Sequence, residues 1–329
     1  VLSDLKGRPI FTFEPRELDI YLRCARRAFP DIRDRLAHLG RKNIGQPYDI
    51  YLLGEFPYEI YDEEPTFNLA ESDCVVFSEH TYAMTLAHDW ASFHRILQRL
   101  RYMDGEVGIL TRNHWTLANW DVNNDWLVED VTTQLGDGEQ WAELHQTRRP
   151  SIFFMRRFGL GADMPDVEHT FTYIPLENIE NVIDDLDTGD FVNIIRGTPE
   201  AGWAGHTGLI VRDPDGSVYF LHSTPPRVRQ QSLRDYVEAA RERNARYAAD
   251  PPTDWTYHPT IGLKFLRFRA DELAEEFAVD EADLILPVPD RDFGKEEDSD
   301  ERMEWVGEGS STTASESSAE EAASQPTAP

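Results

Sequence analysis

The sequence predicts an α+β protein in which a helix that begins with a cysteine packs on an antiparallel sheet carrying two histidines. Three observations carry that prediction. A helical pattern opens at Asp73-Cys74 and runs towards Trp90. The text from Asp187 to Gly197, DTGDFVNIIRG, is a turn leading into a strand, and His206 to Thr224, HTGLIVRDPDGSVYFLHST, is a hairpin with Pro214, Asp215 and Gly216 at its tip.

In chain order, Glu14-Pro15 opens a helix with Leu18, Tyr21, Leu22, Ala25 and Phe29 at helical spacing, and Asp31 caps a second helix that stops at Gly40. Residues 1–45 thus form a helical lead-in. Cys24, on or beside the apolar stripe, reads as a small core residue. In NLAESDCVVFSEHTYAMTLAHDW, residues 68–90, Asp73 is the N-cap, with Val76, Ala83 and Leu86 among the buried positions. Cys74 then takes the first helical position, where free backbone N–H groups and the helix dipole favour the thiolate. Residues 111–133, TRNHWTLANWDVNNDWLVEDVTT, carry three Trp among polar residues and read as loop and short strands. A further helix is expected around Ser232 to Arg246. The main domain is expected over 46–290, and 291–329, rich in acids, Ser and Ala, reads as a disordered tail.

Charge excludes some partners. The net charge is −29, and residues 296–329 hold only ten acids and one Arg of this, so the body is itself strongly acidic. Such a surface repels phosphate backbones and carries no basic stripe, which argues against nucleic acid as partner. No apolar run is long enough for a membrane span, and the chain as given opens at Val1 without an apolar signal segment, which says little about destination. Two cysteines cannot form a disulfide framework. No phosphate-binding Gly-rich loop, paired-Cys zinc motif or internal repeat is visible, and neither metal nor cofactor is expected.

The hairpin fixes two candidate site residues. A Pro-Asp-Gly tip suits a type I turn followed by a bulge glycine, so Asp213 faces Ser217. Counting outward puts His222 opposite Gly208 and His206 opposite Thr224, diagonal neighbours on one face, roughly 7 Å apart at the backbone. A thiol at a helix start needs a base within reach, and the base needs a third group to fix its tautomer. Cys74, His206 and His222 have the residue types for those roles, and the Cys74 N–H suits a developing oxyanion. A core cysteine, a structural His pair and a zinc site are the competing readings; the last has no clear fourth ligand. Trp115 and Trp120 are either core residues or the wall of a groove where a sugar or peptide stacks. Asp73, Arg112 and Asn124 complete the candidate substrate contacts.

SDCVVFSEHTYAMTLA resembles the nucleophile helix of the NlpC-type papain-like cysteine hydrolases, and LDTGDFVNIIRG, GHTGLIV and YFLHSTP resemble the strands that follow it in that superfamily. More narrowly, LGEFPYEIYD and RNHWTLANWDVNN resemble its N-acetylmuramoyl-L-alanine amidase-like branch, over about residues 45 to 245. The resemblance implies a papain-like fold, Cys74 as nucleophile, His206 as base and His222 as its orienting partner. It implies an extracytoplasmic enzyme that cleaves the amide between muramic acid and L-Ala of peptidoglycan or muropeptides. An endopeptidase cutting within the stem peptide, an acyltransferase using the same thiol, and a non-catalytic module binding wall fragments are the alternatives.

Overall fold

The computed structural model describes residues 2–138, 140–251 and 258–284, and its helices start at their capping residues. After α1 (Leu2–Gly7), α2 (Pro15–Ala28) opens on a capping box between Glu14 and Glu17 with Pro15 at its first position. α3 (Ile32–Arg41) is capped by Asp31, which accepts from the N–H groups of Arg33 and Asp34, both at 2.9 Å. It runs one residue past Gly40. That glycine serves packing, since a Cβ there would stand 2.8 Å from Leu221 and 3.3 Å from Thr81. α4 (Cys74–Leu86) begins where expected, and α5 (Trp90–Arg101) follows a capping box of Asp89 and Ser92.

Residues 111–133 differ from the loop-and-strand expectation. A π-helical turn over Thr116–Trp120 runs into α6 (Asp121–Asn123), and one short strand follows. The helical turn gathers Leu117, Ala118 and Trp120 into the interior, a spacing that three Trp scattered among polar residues conceal. The remaining helices are α7 (Pro150–Phe158), α8 (Leu233–Ala249), capped by Ser232, and α9 (Ala270–Glu276). Among the described residues no helix is long and apolar enough to cross a membrane.

The strands are β1 (Val128–Asp130), β2 (Ala142–Arg148), β3 (Val167–Pro175), β4 (Phe191–Thr198), β5 (Ala201–Arg212), β6 (Val218–His222), β7 (Arg229–Ser232) and β8 (Thr260–Phe268). They form an antiparallel sheet in the order β2-β3-β8-β4-β5-β6-β7, with β1 also paired to β8. The β5–β6 register is the expected one: Asp213 N–H bonds Ser217 O at 2.9 Å, Leu209 faces Leu221, and Gly216 has φ +88°. β4 pairs Ile194 with His206 but Ile195 with Ala204, so Gly205 is an extra residue in β5. A second shift, between β4 and β8, lies one residue on, which concentrates twist beside His206.

Each face of the sheet is covered. Leu209, Val211, Leu221 and Phe191 pack against Phe77, Tyr82 and Leu86 of α4, in a core that also takes in Leu18, Leu22, Leu36 and Leu39 of the first helices. On the other face Val192, Ile194, Ile210 and Phe220 meet Leu233, Val237 and Ala240 of α8, at positions i, i+4 and i+7 of one helical stripe. Beneath α4 the buried Glu79 accepts from Arg101 at 2.9 Å and from the Trp120 indole N–H at 3.0 Å. Cys24 is half-buried rather than a full core residue. The domain end near Pro289 and the tail over 291–329 lie outside the described residues.

Gly208 marks where backbone closeness matters to the histidines: a Cβ there would come 2.8 Å from the Cβ of His222 and 2.7 Å from Phe220. The Gly208→Ala protein is expected to lose about 1–3 kcal/mol by overpacking, read as a lower denaturant midpoint. An unchanged midpoint would mean that the His222 strand yields freely.

Candidate active site

Asp73 determines the surroundings of Cys74. Its carboxylate accepts from the N–H groups of Val75 and Val76 at 2.9 and 2.8 Å, consuming donors that the helix start would otherwise direct at an anion. The residue is half-buried, and its thiol is pushed up to about 11, first by burial and then by the Asp73 charge. The N–H groups of Thr207 and Val75 act in the opposite direction and do not prevail. Against the expectation from the helix start, the two largest influences on Cys74, burial and the Asp73 charge, favour the thiol. Asp73 serves as the helix cap rather than as a free substrate contact.

The two histidines meet. His206 Nε2 and His222 Nδ1 are 2.6 Å apart, with ring centroids at 4.9 Å. Phe220 stacks on His222 at 4.3 Å and Tyr236 meets it edge-on at 5.9 Å, fixing the imidazole plane. Burial holds both rings neutral: His206 lies well below its ordinary value, through desolvation and then the charges of His222, Arg196 and Arg229, and His222 falls to about 3, through desolvation and then Arg229. If His206 is to accept a proton at Nδ1, its Nε2–H must donate to His222, which then carries its own proton on Nε2. That Nε2 is buried, has no hydrogen-bond partner within contact distance, and faces the side chain of Gln231.

Cys74 is brought to β5 beside Thr207, the residue that follows His206 in the chain. Among the described residues no hydrogen bond joins the Cys74 thiol to either imidazole. Ser72 and Ser223 tie the approach to α4 to the end of β6: their hydroxyls are 3.1 Å apart, and Ser223 Oγ donates to Ser72 O at 2.7 Å. Arg229 lies opposite His222 in the β6–β7 ladder, and the stem of Arg196 crosses Gly205, whose Cβ would stand 2.5 Å from Arg196 Cδ. Sequence reasoning missed Thr207, Gln231, Arg196 and Arg229. The hairpin register would have reached Thr207, whereas the β4 and β7 pairings carry no local signal.

The candidate substrate contacts divide. Trp115 and Arg112 line one cavity, but Arg112 already pairs with Glu55 and, at 2.9 Å, with Asp62. Trp120 and Asn124 are corrected. Trp120 is fully buried, stacked on Phe191 at 4.3 Å, and Asn124 is fully buried with its amide donating to Leu100 O at 3.0 Å. Neither can meet a ligand without unpacking the core. Among the described residues no group of three or more His, Cys, Asp or Glu is arranged to hold a metal ion.

A family model described as AmiA-like, N-acetylmuramoyl-L-alanine amidase-like, matches residues 38–242. Among solved structures, a DUF1460 protein from Legionella pneumophila is similar with TM-score 0.62 and 19% identity, over 76% of this chain and 94% of that one. An N-acetylmuramoyl-L-alanine amidase from Bacteroides uniformis is similar with TM-score 0.51 and 20% identity, over 74% of this chain and 99% of that one. At these identities the likeness is one of fold, and it bears out the mixture of helices and antiparallel sheet. No curated protein matches the sequence.

Proposed function

Because the chain belongs to the N-acetylmuramoyl-L-alanine amidase-like family, we propose that it is a cell-wall amidase of the papain-like NlpC type, working outside the cytoplasm through Cys74, His206 and His222. The single observation that best supports this is the 2.6 Å contact between His206 and His222, on a strand against which α4, the helix opened by Cys74, is packed. Residues 46–290 would be the catalytic unit, 1–45 its helical lead-in and 291–329 a tail.

In this reading the reaction begins from neutral partners. Cys74 Sγ attacks the carbonyl of the amide between muramic acid's lactyl group and L-Ala while His206 Nδ1 takes the thiol proton. The Cys74 N–H faces the oxyanion that forms, and its negative charge offsets Arg196 and Arg229, which otherwise oppose the imidazolium. His206 returns the proton to the leaving amine, freeing the stem peptide, and water then resolves the thioester. Mass spectrometry of defined muropeptides tests the reading. An intact stem peptide released by wild type alone, and not by Cys74→Ala, supports it; cleavage inside the peptide replaces it with an endopeptidase.

Two further results are expected. The His222→Ala protein should lose roughly 10²–10⁴ in kcat, because His206 is then free to take the wrong tautomer; a loss under threefold would remove His222 from the mechanism. Iodoacetamide should alkylate Cys74 at a rate rising about tenfold per pH unit from 7 to 10, since the thiol ionises only near 11. A rate already level at pH 7 would mean a preformed thiolate–imidazolium pair.

A further inference from the structure

A cavity of about 160 Å³ is bounded by the end of β2, the start of β3, α7 and the turn after Trp115. By volume it has room for about five waters, hence for an acid group on a short chain rather than for a disaccharide. Its chemistry is set by Arg148. Among the described residues no carboxylate pairs with this guanidinium, whose Nε is buried without a hydrogen-bond partner. What holds it instead is Trp115, whose ring centroid lies 5.6 Å from the guanidinium carbon. In a chain of net charge −29 an acid is the easiest partner to supply, and the neighbouring Arg112 in the same cavity has two. Arg148 is left unmatched.

A second unsatisfied atom points the same way and narrows the ligand. Asn119 Oδ1, on another wall, is buried and accepts no hydrogen bond. The vacant fork of Arg148 asks for a carboxylate, which arginine grips with two parallel N–H···O bonds, and Asn119 asks for a donor. Phe154 and Trp115 supply apolar walls for the atoms between.

We propose that this cavity is a binding site for a carboxylate that carries an amide N–H or hydroxyl a few atoms away, as peptide acids and acylated amino acids do. Arg148 takes the carboxylate and Asn119 the donor. That the acid belongs to a wall stem peptide rests on the amidase reading; that the cavity takes such an acid does not.

Isothermal titration separates the two. The probes are N-acetylglutamate, its diamide, N-acetylmuramoyl-L-Ala-D-Glu, and that muropeptide with its carboxylates amidated, the muropeptides being titrated into Cys74→Ala protein. At least one free acid is expected to bind tenfold or more tightly than its amide. Arg148→Gln should erase that preference, and Arg148→Lys, which keeps the charge and loses the fork, should retain only part of it, with thermal melts confirming that both variants fold. Preference for the acid in both probe pairs identifies a site for free acyl amino acids; preference in the muropeptide pair alone identifies a substrate subsite. Equal binding of acid and amide, no binding of any probe, or a preference that survives Arg148→Gln overturns the proposal. An Arg148-dependent preference in a protein that cleaves no muropeptide leaves the site standing and removes the amidase, and cleavage without such a preference does the reverse.

Discussion

Replacing Cys74 by Ala is expected to lower muropeptide turnover by roughly 10⁴-fold or more, because on the proposed mechanism the remaining groups position a substrate but have nothing to attack it with. The fold should scarcely notice. Cys74 is a small, half-buried side chain at a helix start whose cap is made by Asp73, not by the sulfur, so the melting temperature should move by no more than a few degrees. Cys74→Ser supplies a second reading: an alcohol with a far higher pKa, beside a base that burial already weakens, should be nearly as inactive. A Cys74→Ala protein that still releases stem peptide would refute the nucleophile, and one that unfolds would mean the sulfur packs more tightly than its exposure indicates.

The largest effect on stability is expected from Glu79→Ala. Glu79 and Arg101 are buried together under α4, and the Trp120 indole bonds the same carboxylate. Removing the acid leaves a guanidinium enclosed in protein with no carboxylate in contact, which typically costs about 3–5 kcal/mol. Glu79→Gln, which keeps an acceptor for Trp120, should cost less. Denaturant melts check both, and a loss below about 1 kcal/mol for Glu79→Ala would mean that Arg101 reaches water. Because α4 carries Cys74, the damaged protein should also lose activity at temperatures where it is still folded.

What the sequence made legible was local. Asp31 and Asp73 cap the helices the sequence assigns to them, and the Pro-Asp-Gly tip sets a register that brings His206 onto His222. These signals act over a few residues, where side-chain chemistry decides backbone geometry without help from the rest of the chain. The pairing of β8 with β3 and β4, across 64 to 89 residues, has no such signal, and the bulge at Gly205 that sets Arg196 against the His206 strand has none either. Trp120 and Asn124 were legible only as residue types. Whether an indole lines a groove or fills a core depends on Phe191 and Glu79, which lie far along the chain. The pull on the Cys74 thiol escaped for a related reason: burial, the first influence on it, and the Asp73 charge, the second, outweigh the helix start, and burial is set by the rest of the fold.

The extra residue at Gly205 separates assembly from aim. The ladder is regular on either side of it, ending at Ile194 with His206 and resuming one residue out of step at Ile195 with Ala204, so the sheet closes without Gly205 taking part in a pair. The direction in which His206 leaves the strand does depend on it. On the proposed mechanism, variation in length or composition at this one position can therefore retune the approach of His206 to Cys74 while the hydrophobic layers stay as they are, giving the scaffold a degree of freedom through which reactivity can drift independently of folding.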